Sequence, residues 1–176
     1  MRLSRLVKDM LLLASSDAKT WTFHKSTINV DTLLITLYET YEPVCMKQNL
    51  ELKLHLSEES YPAMLTDKDR LFQILCVFMD NAIQHSKNNS LIEIEVIATE
   101  KNIAFSVADH GQGISDEDKQ YIFDRFYSGD KSHTNKSNFG LGLSIAKELT
   151  QMLNGTITIN DTAGGGATFT VKFPMK

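Results

Sequence analysis

A chain of 176 residues, 42% of them apolar, is long enough to bury one real core and has about the length of a single domain. A net charge of −4 and an isoelectric point near 5.7 leave no basic face for general nucleic-acid binding, so no nucleic-acid partner is expected. The apolar runs extend only a few residues, too short to span a membrane, and "MRLSRLVKDMLLLASSD" lacks the unbroken apolar block and small-residue cleavage site of a signal peptide.

In the first segment, Leu3, Leu6, Val7, Met10, Leu13 and Ala14 recur at helical spacing opposite Arg2, Arg5, Lys8 and Asp9. Residues 1–16 therefore read as an amphipathic helix. It opens without a capping residue, like the end of a longer helix. Residues 17–21 are a linker, and 22–176 read as one compact α/β unit. "WTFHKSTINV" is strand-like. Asp31 can cap a helix carrying Leu33, Leu34, Leu37, Tyr38 and Tyr41, which Pro43 ends or kinks. "LELKLHL" alternates as a half-buried strand does. The strongest helix is "TDKDRLFQILCVFMDNAIQHS", with Thr66 or Asp67 as its cap and an apolar face of Leu71, Ile74, Leu75, Phe78 and Ala82. "LIEIEVIA" and "NIAFSVAD" are alternating strands joined by the hairpin "TEKN". "SDEDKQYIF" is a short capped helix, and 127–138 is a polar loop. "FGLGLSIAKELTQMLNG" opens a helix on glycines and closes it at Gly155; "TITIN" and "ATFTVKFP" are strands around "TAGGG". The two cysteines, Cys45 and Cys76, sit in apolar helical contexts and read as core packing in a reducing compartment; no Cys/His group has zinc spacing. The element order, βαββαββ, loop, αββ, predicts an α+β two-layer sandwich. Its sheet is mixed, largely antiparallel and packed on one layer of helices, with the N-terminal amphipathic helix before it.

Four features carry chemistry. In "SVADHGQGIS" a strand runs into Asp109 and then Gly111 and Gly113. The dinucleotide fingerprint fails here, because Asp116 stands at the third glycine slot and the acid precedes the glycines. Asp109 shares parity with Ile103, Phe105 and Val107, so it ends an apolar face and needs donors. An adenine amino group is one such donor, whereas guanine would present an acceptor. Capping of the following turn is the plainer alternative. Val77, Asn81, Gln84 and His85 form one helical stripe. An Asn oxygen suits Mg²⁺ beside phosphates, and an imidazole can stack on a base; a solvated polar face serves equally. Gly140 and Gly142 open a helix whose N–H groups can take phosphate oxygens, or they form a simple turn. "GGGATF" is a turn into the last strand.

In this order and spacing the features resemble the ATP-binding catalytic domain of sensor histidine kinases, over essentially the whole chain. "DNAIQHS" resembles the family's N box, "DHGQGI" its first glycine box, "IFDRFYSGDKS" its F box, "FGLGLSIAKEL" its second glycine box and "GGGATF" the last. Residues 1–16 resemble the end of the second helix of the dimerisation and phosphoacceptor hairpin. The resemblance implies that Asn81 coordinates Mg²⁺ on ATP, that His85 flanks the adenine and that Asp109 reads its amino group, with Gly111, Gly113 and Ile114 as the adjoining wall. It implies that Gly140, Leu141, Gly142 and Leu143 approach the phosphates under a lid at 124–139, and that Thr168 lies at the back of the adenine pocket.

Departures accompany the likeness. Val77 replaces a frequent polar residue and cannot activate water as a Glu does in related hydrolysing ATPases. Gln84 stands where a phosphate-binding Lys is frequent, Ser128 replaces a frequent Arg, and Asn138–Phe139 replace glycine. Lys131, or else Lys136 or Arg125, can supply the missing charge, with Lys131 and Asn81 as the catalytic pair; modest ATP affinity is expected. None of the five histidines has the acid that follows a phosphoacceptor. The acceptor is therefore expected upstream of residue 1, with the γ-phosphoryl passing to it and then to an Asp of a response-regulator receiver domain. The resemblance further implies a cytoplasmic fragment, monomeric or weakly dimeric, of a homodimeric parent anchored in the bacterial cell membrane. Two alternatives share the fold: a non-catalytic or weakly ATP-binding regulatory module, and a serine kinase of the anti-sigma-factor type.

Overall fold

The computed structural model describes residues 23–127 and 140–175. The expected helix 1–16, the linker 17–21 and lid positions 128–139, with Ser128, Lys131, Lys136, Asn138 and Phe139, lie outside the described residues.

Strand β1 (Ser26–Ile28) is shorter than the strand-like stretch suggests. The chain turns into helix α1 (Val30–Lys47) at Asn29, whose Oδ1 accepts from the Thr32 N–H at 2.7 Å. Asn29, not Asp31, is therefore the cap; Asp31 lies in the first turn, where a carboxylate complements the helix dipole. Pro43 does not end the helix. It and Glu39, four residues back, are both exposed, so water can take the carbonyl that the proline leaves unpaired. Strand β2 (Glu51–His55) follows, then β3 (Met64–Thr66), which pairs antiparallel with β1.

Helix α2 (Lys68–His85) is capped by Asp67, whose two oxygens accept from Arg70 N at 3.1 Å and His24 N at 3.0 Å. All five expected core residues are buried, together with Met79 and Ile83. Strands β4 (Leu91–Ala98) and β5 (Asn102–Asp109) form the expected hairpin. Ser115 caps α3 (Asp116–Lys119), a single turn that stops short of Phe123. Helix α4 (Gly142–Met152) and strands β6 (Thr156–Asp161) and β7 (Ala167–Pro174) complete the chain.

The main sheet has the order β2-β4-β5-β7-β6, and only β2 and β4 run parallel. Its inner face presents Ile92, Ile94, Ile103, Phe105, Val107, Phe169, Val171 and Phe173 to the helices, all essentially buried. Each such side chain contributes roughly 1.5–3 kcal/mol through burial. Phe78 of α2 stacks on Phe169 at 5.4 Å, and Phe123 meets Phe169 edge-on at 6.4 Å. Those two rings seat α2 and the segment after α3 on the same strand. Both cysteines are free; Cys45 is buried, and burial pushes its thiol up to about 11.

Candidate nucleotide site

Asp109 is the last residue of β5 and continues its inner, apolar face, with 2% of its surface exposed. A buried carboxylate needs donors. Its Oδ1 accepts the N–H of Gly111 at 2.9 Å and of Ala167 at 3.3 Å. No partner among the described residues takes its Oδ2. Burial pushes the carboxyl above the usual carboxylate range, against the opposing pull of those two N–H groups and of His85 and His110.

Three backbone segments converge here at distances only glycine permits. A Cβ on Gly111 would lie 2.2 Å from the His85 carbonyl oxygen, at the end of α2. A Cβ on Gly166, which has φ +111°, would lie 1.9 Å from the Asp109 carbonyl oxygen. Gly113 in turn faces Gly166. The first and last glycine boxes thus close around one carboxylate.

The second glycine box meets α2 further back. A Cβ on Gly142 would be 3.5 Å from Val77 Cγ1, so α4 begins beside Val77. The stripe Val77, Asn81, His85 then runs about 12 Å along α2, from the start of α4 to the Asp109 turn. Asn81 lies midway, half-buried, and its amide makes no side-chain hydrogen bond among the described residues. The N-cap residue of α4, Leu141, supplies no side-chain cap, so among the described residues no cap side chain takes the first-turn N–H groups. A carboxylate oxygen and a helix start without such partners among the described residues, with a neutral amide oxygen between them, fit the amino group, phosphates and metal of an adenine nucleotide.

Other expected positions fall differently. The side chains of Leu141 and Leu143 pack into the core, so only their backbone is available to a ligand. Ile114 is half-buried against the core beside Gly113, and Gln84 and His85 are exposed. Arg125 is engaged with Glu148 at 3.6 Å. Thr168 is corrected. It pairs with Ala108 on the outer face of the sheet, and its hydroxyl bonds that of Thr162 at 2.8 Å. The strand alternation puts Ala167, not Thr168, beside Asp109. Ala167 and Gly166 are the site residues missed in the sequence; Phe169, an obvious core residue, fixes their parity. Phe126 (φ 66°) donates its N–H to the Gly140 carbonyl at 3.0 Å.

A half-covered mixed sheet with a polar stripe on its central helix and glycine turns at both ends of that stripe defines an ATP-binding domain of the kinase and chaperone type. The chain belongs to the family of histidine kinase-, DNA gyrase B- and HSP90-like ATPases, which matches residues 66–176. Sensor protein CiaH of Streptococcus pneumoniae is 36% identical over 142 residues, covering 80% of this chain and 32% of CiaH. Sensor histidine kinase WalK of Bacillus subtilis is 33% identical over 178 residues, 99% of this chain and 29% of WalK. The chain thus spans about a third of the length of these curated relatives. Among solved structures, full-length ShkA in complex with AMPPNP superposes with a TM-score of 0.86 at 27% identity, over 97% of this chain and 35% of ShkA. Among the described residues no helix is long and apolar enough to cross a membrane.

Proposed function

We propose that the chain is the Mg-ATP-binding catalytic domain of a sensor histidine kinase. It transfers the γ-phosphoryl of ATP to a histidine on an upstream helix of the parent protein, for relay to a response-regulator Asp. The observation that carries this reading is the order along α2: Asp109 at one end, Asn81 in the middle, the start of α4 at the other. Asp109 Oδ2 accepts from the adenine amino group while Oδ1 stays tied to the turn. His85 flanks the base, and Gly111, Gly113 and Ile114 wall it. The backbone of Gly140–Leu143 takes the phosphates, with Lys131 as their cation. Asn81 holds Mg²⁺, which neutralises triphosphate charge when bound. The rate then comes from positioning and charge neutralisation. Val77 offers no base to activate water, which favours transfer to protein over hydrolysis.

The named kinases among the relatives and the AMPPNP held by ShkA support the reading. In the proposed arrangement residues 1–16 end the second helix of the dimerisation hairpin, 17–21 link it, and 22–176 are the catalytic domain with its lid at 124–139. The domain is cytoplasmic and its parent a membrane-anchored homodimer. Titration with a fluorescent ATP analogue, with and without Mg²⁺, tests the reading. Saturable binding that ATP competes and GTP does not is expected; no saturable binding overturns it.

A further inference from the structure

The residue after Asp109 points the other way. His110 is the first residue beyond the β4–β5 ladder and shares parity with Ala108, so its imidazole lies on the outer face of the sheet. There its Nε2 meets Glu93 Oε2 at 3.0 Å. The other oxygen of Glu93, Oε1, meets His55 Nε2 at 2.9 Å. Glu93 is opposite Ala108 on β5 and Lys53 on β2, so both histidines are its diagonal neighbours. A single carboxylate thus links the edge strand β2, strand β4 and the turn that carries Asp109 and Gly111. An ionised carboxylate only accepts, so each imidazole donates its Nε2 proton. Among the described residues no group of three or more His, Cys, Asp or Glu could hold a metal ion, and the row is a hydrogen-bonded one.

We propose that Glu93 is a positioning residue for the adenine end of the site: the row His55–Glu93–His110 holds the Asp109–Gly111 turn from the far face of the sheet. The inference rests on the nucleotide reading above. Fixing His110 fixes the peptides on either side of it, one joining it to Asp109 and the other bearing the N–H of Gly111 that orients the Asp109 carboxylate. Gly166 packs directly against the Asp109 carbonyl and the His110 Cα, so the turn before β7 also abuts this turn.

Hydrogen bonds from His110 and then His55 hold the Glu93 carboxyl below the usual carboxylate range, so it stays ionised. An ionised acceptor makes both bonds charge-assisted. Lys53, Glu51 and Glu95 share the outer face, Ser106 and Ala108 are the uncharged β5 neighbours, and Lys172 lies on β7.

The test is fluorescent ATP-analogue binding to wild type, Glu93→Gln, His110→Gln and the double variant. Glu93→Gln should bind about fivefold more weakly than wild type, the gap between a neutral and a charge-assisted hydrogen bond. His110→Gln should lose about as much, and the double variant should be no worse than either. In the nucleotide-free protein, the Gly111 amide resonance should shift in Glu93→Gln although Glu93 lies on another strand. Equal affinity in wild type and Glu93→Gln, or an unmoved Gly111 resonance, overturns the proposal. Absence of saturable wild-type binding refutes the nucleotide reading instead, and the Gly111 amide decides the row independently.

Discussion

Asp109→Asn separates recognition from folding. In the wild type, Oδ1 is occupied by the N–H groups of Gly111 and Ala167, and Oδ2 has no partner among the described residues. An asparagine keeps its Oδ1 on the same two donors and turns its NH₂ toward the base. Donor then faces the donor of adenine. A hydrogen bond to a charged group contributes about 1.5–3 kcal/mol, so ATP affinity should fall by roughly 10–150-fold. Guanine presents an acceptor at that edge, so the preference for ATP over GTP should narrow. Stability should move the other way. The Asp109 carboxyl is raised by burial, so its contribution is fully present in acid and is lost as pH rises through its folded value. At neutral pH the variant should be as stable as the wild type or more so, with the gain vanishing below about pH 4. Isothermal titration with ATP and GTP, together with thermal melts across pH, measures both. Unchanged ATP affinity, or a loss of stability above about 2 kcal/mol, would show that Asp109 is a structural cap and refute the reasoning.

Asn81→Ala should leave the melting temperature within a degree or two, since the amide has no side-chain partner among the described residues, yet remove the Mg²⁺-dependent part of nucleotide binding; titrations with and without EDTA decide it. Gly166→Ala should destabilise by more than about 2 kcal/mol, because a Cβ there meets the Asp109 carbonyl in a left-handed backbone. Gly164→Ala, with φ +86° but open space around it, should cost only about 1–2 kcal/mol, and denaturant unfolding compares the two. Phe78→Ala removes the ring stacked on Phe169 and should cost about 3–5 kcal/mol by the same measurement.

The helix layer was legible because its periodicity is long and strong. Every residue expected on the apolar face of α2 is buried. The alternation of β5 likewise places Asp109 on the inner, apolar face. Boundaries were less legible where two residues competed for one role. Asn29 and Asp31 can each cap a helix, and only the turn geometry selects Asn29. Strand β3 has three residues, too few for a period, and exists through its pairing with β1. At the site, the acid and glycines were readable as a motif. Which residue of "GGGATF" faces the acid was not, because that depends on strand parity counted back from Phe169; Ala167 takes the place expected of Thr168. The row through Glu93 joins residues from three separate segments, and no local pattern announces it.

The central claim concerns transfer, not only binding. The chain should be mixed with a separately prepared dimerisation and phosphoacceptor hairpin of its parent, γ-labelled ATP and Mg²⁺. Acid-labile, base-stable label on the hairpin, absent with Asn81→Ala, is the result predicted for a histidine kinase domain. Saturable ATP binding with no label on the hairpin at any concentration would contradict it and leave a nucleotide-binding regulatory module.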